Sequence, residues 1–217
     1  MNQRLYVSLA CAIALLNGCA PLPMYQEASL VPKGKDKVGM AGTIVMPLAP
    51  ETRWQPDGEL TPEASAKQPD LQYYPLPSVT GWIRRGNGWG ESQASISMPS
   101  FIITLASKLG IVGLKPGSPF SMALSAEINF APITASASAG ATLFLSTQVG
   151  GGVSLDLSTR VGNFTGVWRG LGASPTLGVS IPLDNGSTFH IGAGANIPTG
   201  VGESSLACWL IAGATLK

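Results

Sequence analysis

The chain has 217 residues, of which 45% are hydrophobic and only 12% charged, and its formal net charge is +1. Soluble domains carry about 25% charged residues, and disordered chains are more charged and less apolar than this one. The even charge balance offers no clustered basic face, so nucleic acid is not among the expected partners.

Residues 1–19 read MNQRLYVSLACAIALLNGC. Arg4 and the amino terminus make a positive start, and Leu5 to Leu16 is an apolar run of signal-peptide length. It is shorter than the ~20 apolar residues a membrane-spanning helix needs.

The run ends in Leu16-Asn17-Gly18-Cys19. This motif resembles the lipobox of bacterial lipoproteins. The resemblance implies that residues 1–18 are a signal peptide and that Cys19 becomes the first mature residue. It further implies diacylglycerol on the thiol and a palmitate-type acyl chain on the amine. Several chains anchor stably, since each buried methylene contributes about 0.8 kcal/mol and one chain alone is marginal. Ala20 rather than Asp follows the cysteine. In lipoproteins of Gram-negative bacteria that implies release to the outer membrane. Cys11 would leave with the signal, so Cys208 has no partner for a disulfide and reads as a small apolar filler.

Residues 19–37 read as a lipidated linker, ahead of a β domain over 38–217. Within that domain, 47–77 carries seven of the 17 prolines. Proline has no backbone donor for a ladder, so this stretch is expected to be a long loop. Elsewhere apolar and small polar residues alternate with a period of two, the pattern of half-buried strands. The clearest run is Phe120 to Phe130, with Phe120, Met122, Leu124, Ala126, Ile128 and Phe130 on one face. Ten strands are expected, over 38–46, 78–85, 90–98, 102–110, 119–130, 138–148, 152–161, 173–181, 187–195 and 205–216. No interval supports a long amphipathic helix.

Most of these strands approach the ~9–11 residues a tilted membrane strand requires, whereas sandwich strands are nearer five or six. Connections 86–89, 149–151 and 182–186 are short and rich in turn formers. The longest, 47–77, 162–172 and 196–204, all fall on the opposite side. Short turns at one rim and long loops at the other resemble the layout of small outer-membrane barrels. The expected fold is an all-β, antiparallel, up-and-down transmembrane β-barrel of about ten strands. The alternative is a lipid-anchored soluble β-sandwich or β-clam, kept because the chain ends Ala-Thr-Leu-Lys rather than in an aromatic residue.

If the apolar faces meet lipid, the polar faces meet the lumen. Lys108, Glu127, Asp156, Arg160 and His190 then form a polar lumen network, with opposite charges paired because unpaired buried charge is costly. Trp82, Trp89, Trp168 and Trp209 divide between interfacial girdles and ordinary packing, and Arg84-Arg85 reads as a solvated strand end. No zinc-type cluster, phosphate loop or dinucleotide fingerprint occurs, so no metal, cofactor or catalytic residue is assigned. The expected role is structural or interactive, not enzymatic, with a lumen filled by side chains as in a barrel of about ten strands. The partners are the bilayer, through Cys19 acyl chains and the barrel surface, and a protein at loops 47–77 and 162–172. A narrow passive channel and a membrane hydrolase using His190 are the alternatives.

Overall fold

A computed structural model describes residues 27–47, 76–99, 101–115, 118–132, 136–164, 170–198 and 207–216. Ten strands form. They are β1 (Asp36–Pro47), β2 (Leu76–Gly86), β3 (Gly90–Met98), β4 (Ile102–Val112), β5 (Phe120–Ala131), β6 (Ser136–Gly150), β7 (Val153–Phe164), β8 (Gly170–Pro182), β9 (Thr188–Pro198) and β10 (Ala207–Leu216). Each pairs antiparallel with its sequence neighbours, and β1 closes on β10 through the register Val38↔Leu216 to Pro47↔Ala207. The result is one closed sheet without free edges. Two facing sheets are not present, so the sandwich and clam alternatives are excluded.

Closure leaves each strand with an inner and an outer face, and the period-two sequence pattern decides which residue goes where. On β5, Phe120, Leu124, Ile128 and Phe130 point out while Ser121, Ser125 and Asn129 are buried inside. The same division holds around the barrel. Ile128, Leu177 and Leu210 are 60%, 54% and 53% exposed, whereas Asp156 and Arg160 are 1% exposed. The polarity is the reverse of a water-soluble core. The lumen is lined mostly by small hydroxyl side chains such as Thr43, Thr80, Ser95, Thr142, Ser158 and Thr176.

Two tryptophans occupy the inside. Trp82 and Trp209 are buried, so neither belongs to an interfacial girdle; Trp89 is exposed on the β2–β3 turn. Trp168 lies outside the described residues. Each inward indole faces a glycine across the ladder, Gly39 opposite Trp82 and Gly194 opposite Trp209. A Cβ at Gly39 would stand 2.6 Å from the Trp82 ring and from the Ala214 carbonyl oxygen. Gly39→Val should therefore destabilise the barrel by roughly 1–3 kcal/mol through overpacking. The readout is the temperature at which its compact gel band converts to the unfolded one.

The first rim, where the chain enters β1, carries the turns after β2, β4, β6 and β8. Two boundaries differ from the sequence expectation. β7 and β8 extend to Phe164 and Gly170 through the pairs Asn163↔Leu171 and Phe164↔Gly170. Most of 162–172 is therefore ladder, since Gly162, Gly170 and Gly172 do not break a strand whose neighbour supplies its hydrogen bonds. The second difference concerns 19–37. Its last residues, Asp36 and Lys37, belong to β1, and Glu27 to Val31 lie inside the barrel rather than forming a free linker. Cys19 and residues 48–75 lie outside the described residues.

Candidate functional site

Among the described residues, three hydrogen-bonded polar groups stand out in the lumen. The first is built on Glu91, whose place at the start of β3 turns it inward at the first rim. Its Oε1 accepts from Lys108 Nζ at 2.9 Å and from Arg84 Nη1 at 3.4 Å. Its Oε2 accepts from the backbone N–H of Val31 at 2.8 Å. Lys108, from β4, also donates to the carbonyl oxygens of Glu27 at 3.0 Å and Ser29 at 3.4 Å, with Phe144 beneath it at 5.2 Å from the ring centroid. Glu91 and Arg84 are essentially sealed from water, at 0% and 2% exposure.

This first network holds the segment Glu27–Val31. The Ala28 N–H donates to Ser146 Oγ at 2.7 Å, and the Ala28 methyl packs with Ala123 and Phe144. Leu30 and Val31 are buried. Lys33 then bridges Gly86 at the rim before β1 begins. The Glu27 side chain reaches Lys37 at 3.8 Å. Burial acts to raise its carboxyl pKa. The Lys37 and Arg84 charges and a hydrogen bond from Ser29 outweigh that, and the carboxyl sits below the ordinary carboxylate range.

The second network lies deeper. Arg160 Nε donates to Glu127 Oε1 at 2.5 Å, and the guanidinium crosses Gly140, where a Cβ would meet Nη2 at 2.8 Å. Asn129 Nδ2 donates to the same Glu127 oxygen at 3.2 Å, and Asn129 Oδ1 accepts from Thr104 Oγ1 at 2.6 Å.

The third contains the histidine of the described strands. Ser154 Oγ and Ser180 Oγ both donate to the Asp156 carboxylate, at 3.2 Å and 2.5 Å. Ser180 Oγ is 2.9 Å from His190 Nδ1, and His190 Nε2 is 2.8 Å from Thr215 Oγ1. With its hydroxyl proton given to Asp156, Ser180 accepts from Nδ1–H, and Thr215 donates to Nε2. A hydrolytic triad places the imidazole between carboxylate and nucleophile. Here a serine stands between carboxylate and imidazole, and all four groups are buried.

The five residues expected in one network thus fall into three. Glu127 pairs with Arg160, Asp156 and His190 share a hydroxyl relay, and Lys108 pairs with neither expected acid but with Glu91. The sequence reading missed Glu91, Arg84 and the inserted segment. Arg84 is not a solvated strand end, because the period-two rule separates the pair: Arg84 turns in while Arg85 turns out, 3.9 Å from Asp36 in an exposed contact. The same rule, applied to Glu91-Gln93-Ser95 against Ser92-Ala94-Ile96, carried the missing signal for Glu91.

Cys208 is a free thiol on the outer face of β10, half-buried. Among the described residues, no group of three or more His, Cys, Asp or Glu is arranged to hold a metal ion. Comparison of the chain with protein-family models, with curated proteins and with solved structures finds no match.

Proposed function

We propose that the protein is an outer-membrane lipoprotein of a Gram-negative bacterium, tethered through acyl chains on Cys19, whose barrel crosses the bilayer. Its role is structural or interactive, and it offers the proline-rich stretch 47–77 and the tip between β7 and β8 to a protein partner. The observation that carries this reading is the inverted polarity. An outer surface of Leu, Ile, Val and Phe has no favourable contact in water, whereas hydrocarbon accepts it without cost. Closure also supplies every strand with hydrogen-bond partners on both sides, which lipid cannot do. The polar groups that lipid would reject are gathered inside, and the inward-facing charges Arg84, Glu91, Lys108, Glu127 and Arg160 sit in ion pairs.

An enzymatic role has no support in the hydroxyl relay around His190, since Thr215 is 2% exposed and no substrate carbonyl reaches it without rearrangement. The anchor is tested by Cys19→Ser. That variant should lose all incorporation of labelled fatty acid while retaining membrane association through the barrel. Labelling that persists would place the acylation elsewhere. The bilayer reading is tested on the same unacylated variant in buffer without surfactant. Aggregation there, with a compact heat-convertible gel band in detergent, is the expected pair of results. A monodisperse monomer in plain buffer would overturn it.

A further inference from the structure

The first rim differs from the rest of the outer surface. Among the described residues, every exposed charged residue lies there: Lys33, Lys35, Arg85 and Lys115, against Asp36 and Asp184. Each of the four turns at this rim also presents a large apolar side chain. These are Trp89 after β2, Leu114 after β4, Val149 at the end of β6 and Leu183 after β8, at 64%, 41%, 63% and 44% exposure.

The cations gather where the chain enters β1. The main chain of 33–35 is laid against the end of β2. The Gly34 N–H donates to the Gly86 carbonyl at 2.9 Å, and the Gly86 N–H donates to the Lys35 carbonyl at 3.1 Å. A Cβ at Gly88 would stand 3.5 Å from Lys33 Cδ, so the Lys33 stem runs over the turn that carries Trp89. Lys33, Lys35, Arg85 and Trp89 thus share one sector of the rim. Asp36 is the acid of that sector, 3.9 Å from Arg85, and leaves it with an excess of positive charge.

Depth and pattern select what meets this sector. The 11 residues of β2 rise about 28 Å along the barrel axis, at ~3.3 Å per residue and ~40° of tilt. An apolar band about 25 Å tall leaves the end of that strand, with Arg85, at headgroup depth. An acidic protein would need one complementary patch and would not account for an apolar side chain on every turn of the ring. A planar lipid layer meets all four turns at once. Tryptophan favours headgroup depth, and Lys and Arg there are drawn to anionic lipid.

We propose that Lys33, Lys35, Arg85 and Trp89 form a binding site for the phosphate headgroups of anionic phospholipids in the leaflet at the first rim. This rests on the bilayer reading above. The two lysines and Arg85 take phosphate oxygens, Arg85 through the parallel N–H groups of its fork, and the Trp89 indole lies among the lipid glycerols beside them.

The test uses the full chain, Cys19 retained, in vesicles of phosphatidylcholine mixed with phosphatidylglycerol. Bromine is carried by one lipid or the other in otherwise identical mixtures, and it quenches indole fluorescence on contact. The signal lost on Trp89→Phe identifies the Trp89 emission. That emission should be quenched more by brominated phosphatidylglycerol, with a binding constant relative to phosphatidylcholine of roughly fivefold, the effect of one basic side chain at an anionic surface. Lys33→Gln with Lys35→Gln and Arg85→Gln should bring the ratio to about one. Molar potassium chloride should do the same to the wild type.

The three side chains make none of the main-chain bonds that place them, and the compact heat-convertible gel band reports folding of the variant. A wild-type ratio near one overturns the site, as does a triple variant that folds and keeps the preference. If the triple variant lacks the band, the salt series decides: a preference that survives molar salt overturns the proposal, and one that vanishes supports it. Inorganic phosphate added at constant ionic strength should leave the ratio unchanged; its collapse would make the free ion the ligand and overturn the lipid assignment. Failure of the bilayer reading looks different, since brominated lipid of either class would then leave Trp89 unquenched and the protein would not float with the vesicles.

Discussion

Glu91→Ala should lower the free energy of unfolding by about 3–5 kcal/mol, measured by denaturant titration of the refolded protein in phospholipid vesicles. One carboxylate holds two cations and one backbone N–H, and all of them are sealed from water. Truncation strands Arg84 and Lys108 as buried like charges and leaves the Val31 donor unpaired, each a costly state. Glu91→Gln should cost less, because its amide oxygen still accepts from Val31 although the charge is lost. Glu91→Leu with Lys108→Met should recover part of the loss, since removing both partners of a buried pair is far milder than removing one. The double variant should therefore be more stable than the sum of its single variants, by on the order of 1–3 kcal/mol. A loss below about 1 kcal/mol in Glu91→Ala, the range of an exposed ion pair, would mean that water reaches the cluster freely and that the first mouth is not sealed.

The strands were legible because closure imposes one physical rule on every residue. Outward positions must be apolar and inward positions small or polar, so Phe120 to Phe130 shows its two faces without any knowledge of its neighbours. The inner ion pairs were less legible for a related reason. Alternation says that Lys108 and Glu127 share the lumen, but barrel stagger decides which charges meet. Lys108 sits opposite Ser125 in the β4–β5 ladder and opposite Glu91 in the β3–β4 ladder, so its ion partner is its direct cross-strand neighbour on β3, fixed by a register that the sequence does not state. Glu91 was hard to see because the outer face of β3 opens on Ser92 and becomes apolar only at Ala94, Ile96 and Met98, so the alternation that turns Glu91, Gln93 and Ser95 inward is weakest beside Glu91 itself. Arg84 was hidden by adjacency to Arg85, since two like residues in sequence look like one feature although the pleat sends them to opposite sides. The inserted segment gave no local signal at all. Glu-Ala-Ser-Leu-Val has no period, and the hydrogen bonds that tie it to β3, β4 and β6 are made by its main chain. Main-chain contacts leave no trace in residue type.

A depth-dependent penalty for arginine along the outside of β5 is the second large expected effect. Phe120, Leu124 and Phe130 are nearly equally exposed, at 45%, 45% and 49%, and all face outward on one strand. If water surrounds the barrel, their replacement by Arg should change stability by less than about 0.5 kcal/mol at every one of them. If hydrocarbon surrounds it, depth decides. Leu124 lies near the middle of the Phe120–Ala131 strand, and Leu124→Arg should cost about 2–4 kcal/mol; Phe120→Arg and Phe130→Arg, near the rims, should cost ~0–1 kcal/mol from the charge itself. The long arginine stem lets a rim guanidinium reach the headgroups, which a mid-strand one cannot do without drawing water inward. Vesicle refolding of the three variants gives the profile directly. A peak at Leu124 flanked by low values is the signature of a bilayer, because solvent exposure of the three side chains is matched and only their distance from the rims differs. A flat profile would put water on every side and leave the apolar surface for another protein to cover.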